Sequence, residues 1–522
     1  MKLNFSHNQP NFDSDLRELF RAFYPHIEEG DDNFINLEAS VYDDELKVVL
    51  TSDVFDKFKK VYTFNLNYKN ETEYKRQLKR HIKVALYRTL SFLSNSSLPY
   101  GCLTGIRPTK YFTELGVDAK EIFLKEFSVY GEKVHLIESV VVNQRPYRNQ
   151  NPKTQIDVFV NVPFCPSRCS YCSFVMASIE RAEKLIEPYT KLLCEEIKRT
   201  AEIANKLGLR LETVYFGGGT PSVLGADRLC DILDFIKFNF NIQNNAEITV
   251  EVNPDSAKTI DFEKMYACGF NRISMGMQTA VEDELRLLGR IHSIDDAKTS
   301  VERAKSAGFN NISLDLMMGI PNQTIESLEK SISFCADCKV THISSYILKI
   351  EENTPFYKVQ NKLKLADDDM QAEMYLKTVE MLDSLGYKQY EISNFAKQGY
   401  ESRHNTNYWR CGEYIGIGPS AHSFFEGKRF FYSRSMDDFN NNKLSFEGTG
   451  GDEEEFIMLS LRLKSGLNYS EFEEKFGYTL PSYIIKKAKE YEKYGYTNVT
   501  DKSISFTPKG FLVSNSIISE LI

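Results

Sequence analysis

The chain is predicted to be an α/β protein: a partial parallel (β/α)6 barrel, with an α+β N-terminal domain before it and a small, mostly helical, winged-helix-like C-terminal domain after it. Three observations predict this. A length of 522 residues exceeds what one compact core supports, so two or three domains are expected. From Ile156 onward, short β-branched runs alternate with amphipathic stretches six times, and such alternation means a parallel sheet covered by helices. A polar or glycine-rich group stands at the end of each run, and parallel barrels build their sites at the carboxyl ends of their strands. The expected domains are 1–150, 151–435 and 436–522.

Composition narrows the class. A hydrophobic content of 42% with 26% charged residues is that of an ordinary globular protein. The net charge of −9 argues against a nucleic-acid partner, which calls for a basic surface. No apolar run approaches the ~20 residues that span a bilayer. The opening MKLNFSHNQPNF lacks a signal-peptide core, so a cytoplasmic location is expected. Ten cysteines spread over such a chain speak against a disulfide framework. Cys102, Cys194, Cys230, Cys268 and Cys411 read as small buried apolar residues. Cys335 and Cys338 are spaced C-x2-C but fall in SLEKSISFCADCK, a helical pattern.

In the first 150 residues, INLEASVYDDELKVVLTS alternates around Asp43-Asp44 as a hairpin does, and KVYTFNLNY offers a further strand. Glu71 to Phe92 is helical, with Leu78, Ile82, Ala85, Leu86 and Leu90 on one side. Lys75, Arg76, Lys79, Arg80, Lys83 and Arg88 occupy the other side, a solvated face or one that attracts an anionic ligand or RNA. LPYGCLTGIRPTK, from Leu98 to Lys110, reads either as an anion-binding turn or as a tight connection, and QRPYRNQNPKTQ reads as a polar linker.

The barrel strands are expected at IDVFVNV, ETVYFGG, EITVEVN, NRISMGM, NISLDLMMG and THISSYIL. Beyond them come the helix DDDMQAEMYLKTVEMLDSLG, the strand-like KQYEIS, and the segments HNTNYW and YIGIGPSAHSF. After Gly450, short helices are closed by two strands around YTNVT and SISFT.

The chemistry centres on FVNVPFCPSRCSYC, Phe159 to Cys172. Cys165, Cys169 and Cys172 form C-x3-C-x2-C directly after a strand. Three thiolates on one loop can hold three irons of a [4Fe–4S] cube and leave the fourth iron open. S-adenosylmethionine fits such an iron through its amine and carboxylate. Gly217 to Gly219 then let backbone approach its amino-acid end, and Glu251 and Asp315 accept from ribose hydroxyls or an ammonium. Gln278 both donates and accepts, and Arg290 can hold a carboxylate by two hydrogen bonds. His404 and His422 read more readily as core or surface histidines than as ligands.

These motifs, with YFGGGTPS, EVNPDS, GFNRISMGMQT and ISLDLMMGIPNQT, resemble the radical S-adenosylmethionine superfamily. More narrowly they resemble the oxygen-independent coproporphyrinogen III dehydrogenase group, and the first 150 residues look like the extension of its long-form, HemZ-type members. The resemblance implies a [4Fe–4S] cluster on Cys165, Cys169 and Cys172. It implies one S-adenosylmethionine at Gly218, Gly219, Thr220 and Glu251, and a second at Gln278, Arg290 and Asp315. It implies a radical oxidoreductase that decarboxylates coproporphyrinogen III to protoporphyrinogen IX in haem synthesis, supplied by an electron donor. Two positions depart from the dehydrogenase: Phe159 replaces a tyrosine, and Phe174 a cysteine. CSYCSF, HNTNYW and GPSAHSF are closer to a sister branch of haem chaperones, so haem binding is the alternative, and a radical reaction on haem a further one.

Overall fold

The computed structural model describes residues 4–24, 34–53, 58–68, 71–103, 108–115, 119–144, 154–173, 177–433 and 435–522. The chain divides into two compact units, 1–150 and 151–522.

In the first unit, Asn4–His7 runs parallel to Phe34–Tyr42, which continues as an antiparallel meander through Glu45–Ser52 and Phe58–Asn65. The hairpin turns on Asp43 and Asp44, both at positive φ (45° and 62°), the conformation that matches the strand twist in a two-residue turn. Leu37, Val48 and Leu50 are buried with Leu16 and Leu19 of helix Asp13–Phe23 and Ile82, Leu86 and Leu90 of helix Glu71–Ser94. The basic side of that long helix is largely consumed inside the unit. Lys79 pairs with Asp15 at 3.0 Å, Arg80 lies over the Tyr111 ring, Arg88 donates to the Lys125 carbonyl, and Lys83 is buried. Only Lys75 and Arg76 of the six stay exposed, so the face is neither a continuous solvated stripe nor an open cationic patch. Of the Leu98–Lys110 turn, residues 104–107 lie outside the described residues, as do residues 145–153 of the expected linker.

The second unit is built on a 12-stranded sheet. Its centre is six parallel strands, neighbours in chain order: Gln155–Val162, Arg210–Gly218, Ile242–Val252, Arg272–Gln278, Asn311–Met318 and His342–Ile347. Helices Ile179–Lys206, Gly225–Asn239, Phe262–Ala267, Ile294–Ser306 and Ile325–Asp337 form the crossovers. Two of them start on side-chain caps, Ser293 with Asp296 and Thr324 with Ser327, which satisfy the free amides of the first turn. Val158, Val160, Phe216, Val250, Ile273 and Leu314 bury one face of the sheet in the same core as Leu193, Leu229, Val301 and Ile332 of the helices.

The sheet does not close. Beyond His342–Ile347 it ends in the antiparallel strands Asn394–Ala396 and Lys388–Gln389. At the other edge, Tyr414–Ile417 runs parallel to Gln155–Val162, followed by antiparallel His422–Phe425, Lys428–Tyr432 and Leu444–Thr449. This is the partial (β/α)6 barrel expected. Its last strand lies past residue 435, where the sequence places a domain boundary. KQYEIS pairs only at Lys388 and Gln389 and through a single bridge from Glu391 to Leu463.

The C-terminal residues form helices Glu453–Ser460, Tyr469–Phe476, Ser482–Glu492, Pro508–Leu512 and Ser514–Leu521 around a three-stranded sheet of Leu467–Asn468, Thr497–Val499 and Ser503–Phe506. Phe456, Phe472, Ile484 and Leu521 join the core of the barrel unit. Cys230 and Cys268, expected as separate buried thiols, instead form a disulfide. Helix Gly225–Asn239 brings Cys230 against the C-terminal end of Phe262–Ala267, where Cys268 is the cap. Cys335 and Cys338 are free, the latter capping helix Ile325–Asp337.

Candidate radical site

Paired residues of neighbouring parallel strands share a face, and the face alternates along each strand. Register therefore puts Phe159, Tyr215, Glu251, Ser274 and Asp315 on the face opposite the helices, inside the barrel. The cysteine loop leaves the first strand at the carboxyl end and is strapped to its neighbour. Gly219 N donates to Val162 O at 2.8 Å and Thr220 N to Phe164 O at 2.7 Å. On its far side, Ser170 N donates to Leu288 O at 2.9 Å, and Arg168 donates to the Asn353 carbonyl at 2.9 Å.

None of Cys165, Cys169 and Cys172 is tied up in a disulfide; the first two are buried and the third half-buried. Cys165 Sγ lies 3.2 Å from Thr220 Oγ1, and Arg290 Nη1 donates to Cys169 Sγ at 3.5 Å. Burial pushes the Cys165 thiol up to about 11 against the pull of the Thr220 hydroxyl, so iron binding there would displace a proton. Among the described residues, no three His, Cys, Asp or Glu side chains gather around one point as a mononuclear metal needs. A cube asks for something else, since each thiolate takes its own iron. The donor set fits that group.

The three glycines are explained by the protein itself. A Cβ on Gly218 would run into the Asn161 side chain, where φ is +104°, and one on Gly219 would come within 2.5 Å of the Phe164 carbonyl. On Gly217 it would meet the Phe159 and Tyr215 rings at 2.9 Å and Glu251 Oε1 at 3.1 Å. Glycine here lets the second strand end lie flat against the cysteine loop, a closer constraint than the ligand approach read from sequence.

Glu251 is half-buried and accepts from Tyr215 OH at 2.9 Å. Burial pushes its carboxyl up to about 7 against the pull of that hydrogen bond, with the Asp315 charge adding to the rise. Asp315 is also pushed up by burial, though Ser344 and Ser274 donate to it. On the same face, one pair deeper, sits Arg272, 1% exposed, whose Nε and Nη1 find no hydrogen-bond partner among the described residues. Gln278 holds a positive φ of 74°, and its Oε1 accepts from Tyr346 OH at 2.9 Å. Arg290 is not a free carboxylate clamp: Nη2 donates to Gly276 O and, at 3.4 Å, to Asn253 Oδ1, and among the described residues Nε alone of its nitrogens lacks a partner. Sequence reading placed Tyr346 among the strand-end groups and missed Tyr215 and Arg272. The signal for Tyr215 was its two-residue offset from Gly217, and for Arg272 a lone cation inside an apolar strand.

The two histidines separate. His404 is 1% exposed and fully satisfied, Nδ1 on Thr213 Oγ1 at 2.5 Å and Nε2 on Tyr408 OH at 2.7 Å, and burial lowers its pKa to about 3. Its ring packs with those of Tyr215 and Phe159 in one aromatic cluster, centroids 5.0 and 6.4 Å away. His422 keeps a half-exposed side chain. Phe174 lies outside the described residues. A cavity of about 1250 Å3 opens at the other end of the barrel, lined by strand starts such as Gln155, Glu212, Asn245 and Asn311, so volume alone would place the site at the wrong end. Among the described residues, no helix is long and apolar enough to cross a membrane.

Comparison with known proteins follows the same lines. The radical SAM superfamily model matches residues 161–335, and the HemN C-terminal domain model matches 453–513. A Bacillus subtilis protein named heme chaperone HemW is 33% identical over 376 residues, 70% of this chain and 98% of that protein. The Escherichia coli heme chaperone HemW is 35% identical over 267 residues, 51% of this chain and 69% of that protein. The solved structure of Escherichia coli coproporphyrinogen III oxidase, HemN, superposes with a TM-score of 0.61 at 22% identity, covering 75% of this chain and 93% of that one, a likeness of fold. The chain belongs to the radical SAM superfamily, whose members use a [4Fe–4S] cluster and S-adenosylmethionine, and within it to the family that carries the HemN C-terminal domain and includes the proteins named heme chaperone HemW.

Proposed function

We propose that this chain is a haem-binding protein of the chaperone type that carries a reducible cluster, in place of the porphyrinogen decarboxylase expected from its motifs. The observation that carries the reading is the likeness to heme chaperone HemW over nearly that protein's whole length. The likeness to HemN reaches the fold and stops there. The inner face of the barrel agrees with this reading: Phe159 brings a ring without a hydroxyl, packed against Tyr215 and His404.

In this reading Cys165, Cys169 and Cys172 hold the cluster, which when bound supplies the electron that cleaves a C–S bond of S-adenosylmethionine. Thr220 steadies Cys165 through its hydroxyl. Gly218 and Gly219 keep the strand end close to the loop, and Glu251, with Tyr215 as its donor, faces the first S-adenosylmethionine. Gln278, oriented by Tyr346, would with Asp315 and Arg290 line the second position. Residues 1–150 are read as the long-form extension, 151–435 as the barrel with its extension and 436–522 as the C-terminal domain.

Anaerobically reconstituted protein should bind ferric haem at one per chain and, in a separate assay with dithionite and S-adenosylmethionine, leave coproporphyrinogen III unchanged by mass analysis. Formation of protoporphyrinogen together with 5′-deoxyadenosine would overturn the reading in favour of decarboxylation.

A further inference from the structure

We propose that Arg290 and Thr220 set how readily the cluster takes up an electron, by donating hydrogen bonds to the sulfurs of Cys169 and Cys165. The inference rests on the cluster in the reading above, held by Cys165, Cys169 and Cys172, and not on haem. It leaves Arg290 beside the second position and gives its terminal nitrogens a task of their own.

The local chain explains how a cation comes to lie on the cysteine loop. Helix Glu282–Leu287 ends at the Leu288 cap, and Gly289 follows at a φ of 71°, the left-handed turn that glycine allows at a helix end. Arg290 N donates back to Leu285 O at 3.0 Å and closes that turn. The turn is bonded in its centre to the cysteine loop, because Leu288 O accepts from Ser170 N, the residue after Cys169. A Cβ on Gly289 would come within 2.9 Å of Ser170 Oγ, so a side chain there would push the two segments apart. Arg290 thus reaches Cys169 from a fixed base.

The side chains are held for the same purpose. Nη2 of Arg290 is anchored on Gly276 O and Asn253 Oδ1, which fixes the plane of the guanidinium fork. Nη1 then points at Cys169 Sγ, 3.5 Å away. On the other side of the loop Thr220 is 7% exposed, and its amide is tied to Phe164 O. Its Oγ1 lies 3.2 Å from Cys165 Sγ. A sulfur bound to iron has no proton to give, so there the hydroxyl is the donor. An added electron makes the cysteine sulfurs more negative, and a donor aimed at a sulfur holds that charge better than it holds the oxidised state. A cationic donor does so more strongly than a neutral one. Both contacts therefore raise the potential at which the cluster is reduced, Arg290 by more than Thr220.

The test is a redox titration of the anaerobically reconstituted full chain, without S-adenosylmethionine, read by electron paramagnetic resonance of the reduced cluster. In Arg290→Gln the ratio of reduced to oxidised cluster at the wild-type midpoint should fall at least tenfold, about 59 mV for one electron. Thr220→Val removes the hydroxyl and keeps the shape, so it should lower the midpoint by less, and Thr220→Ser should restore it. An unchanged midpoint at full iron content would overturn the role of the residue replaced while leaving the cluster standing. A wild type that takes up no iron at these cysteines would overturn this inference and the cluster reading together. Should Arg290→Gln fail to take up iron, wild type grown on arginine with nitrogen-15 in its guanidino group decides. Spin-echo spectra of its reduced cluster should then show a coupling that unlabelled protein lacks, and identical spectra would overturn the hydrogen bond from Arg290.

Discussion

Glu251 carries the clearest electrostatic consequence of the barrel interior. It is half-buried among the inward-facing side chains, and desolvation holds it up to about 7 from a reference of 4.5. A carboxyl whose folded value is raised binds its proton more tightly in the native state than in the unfolded one. Its contribution to stability is therefore complete below about 4.5 and is lost as pH rises through about 7. Over that window the loss is at most about 3 kcal/mol. Glu251→Gln keeps an acceptor for Tyr215 OH and removes the charge, so its melting temperature should exceed that of the wild type by more at pH 8 than at pH 5. An equal gap at both pH values would mean that Glu251 is not the titrating group. His404 makes the opposite point about single residues. It sits in HNTNYW, where a ligand would be sought, yet both its nitrogens are consumed by Thr213 and Tyr408. A side chain with no free lone pair and no exposure is a brace for the barrel floor.

At the scale of elements, the contact that matters is between the cysteine loop and the end of strand Arg210–Gly218. Two backbone hydrogen bonds strap them together, and three successive glycines let them touch. Gly218→Ala adds a methyl against Asn161 at a φ of +104°, where both overpacking and backbone strain act, for about 1–3 kcal/mol of destabilisation. Because the strain falls at the root of the loop, the variant should take up markedly less iron on anaerobic reconstitution, with a lower melting temperature. Full iron loading with an unchanged melting temperature would show that the glycine serves only the ligand. Gly225, also at positive φ but with open space where its Cβ would stand, provides the comparison. Gly225→Ala should cost stability without lowering iron uptake.

For the whole molecule, the regular beat of strands and helices made the barrel legible, because apolar strands covered on one face by amphipathic helices leave a pattern that survives in one dimension. The cysteine loop and the strand-end residues were legible for a related reason, since a ligand set carried by one loop is a matter of spacing. What did not show was everything set by contacts across the chain. Arg272 shows as a cation in an apolar strand but not as a group on the inner face until register puts it there, Arg290 looks like a free clamp until Gly276 and Asn253 claim it, and Cys230 finds Cys268 only through packing of two helices. The sharpest consequence at this scale concerns the first unit. Its buried side chains, among them Leu19, Val48, Leu86 and Phe123, form one hydrophobic cluster, and the barrel and C-terminal residues form another that shares no member with it. Two cores without common side chains should melt as two cooperative steps. Calorimetry of the full chain should therefore resolve two transitions, and a chain of residues 154–522 should reproduce one of them while retaining iron and haem uptake. A single transition, or loss of iron uptake on removing the first unit, would show that the barrel depends on it.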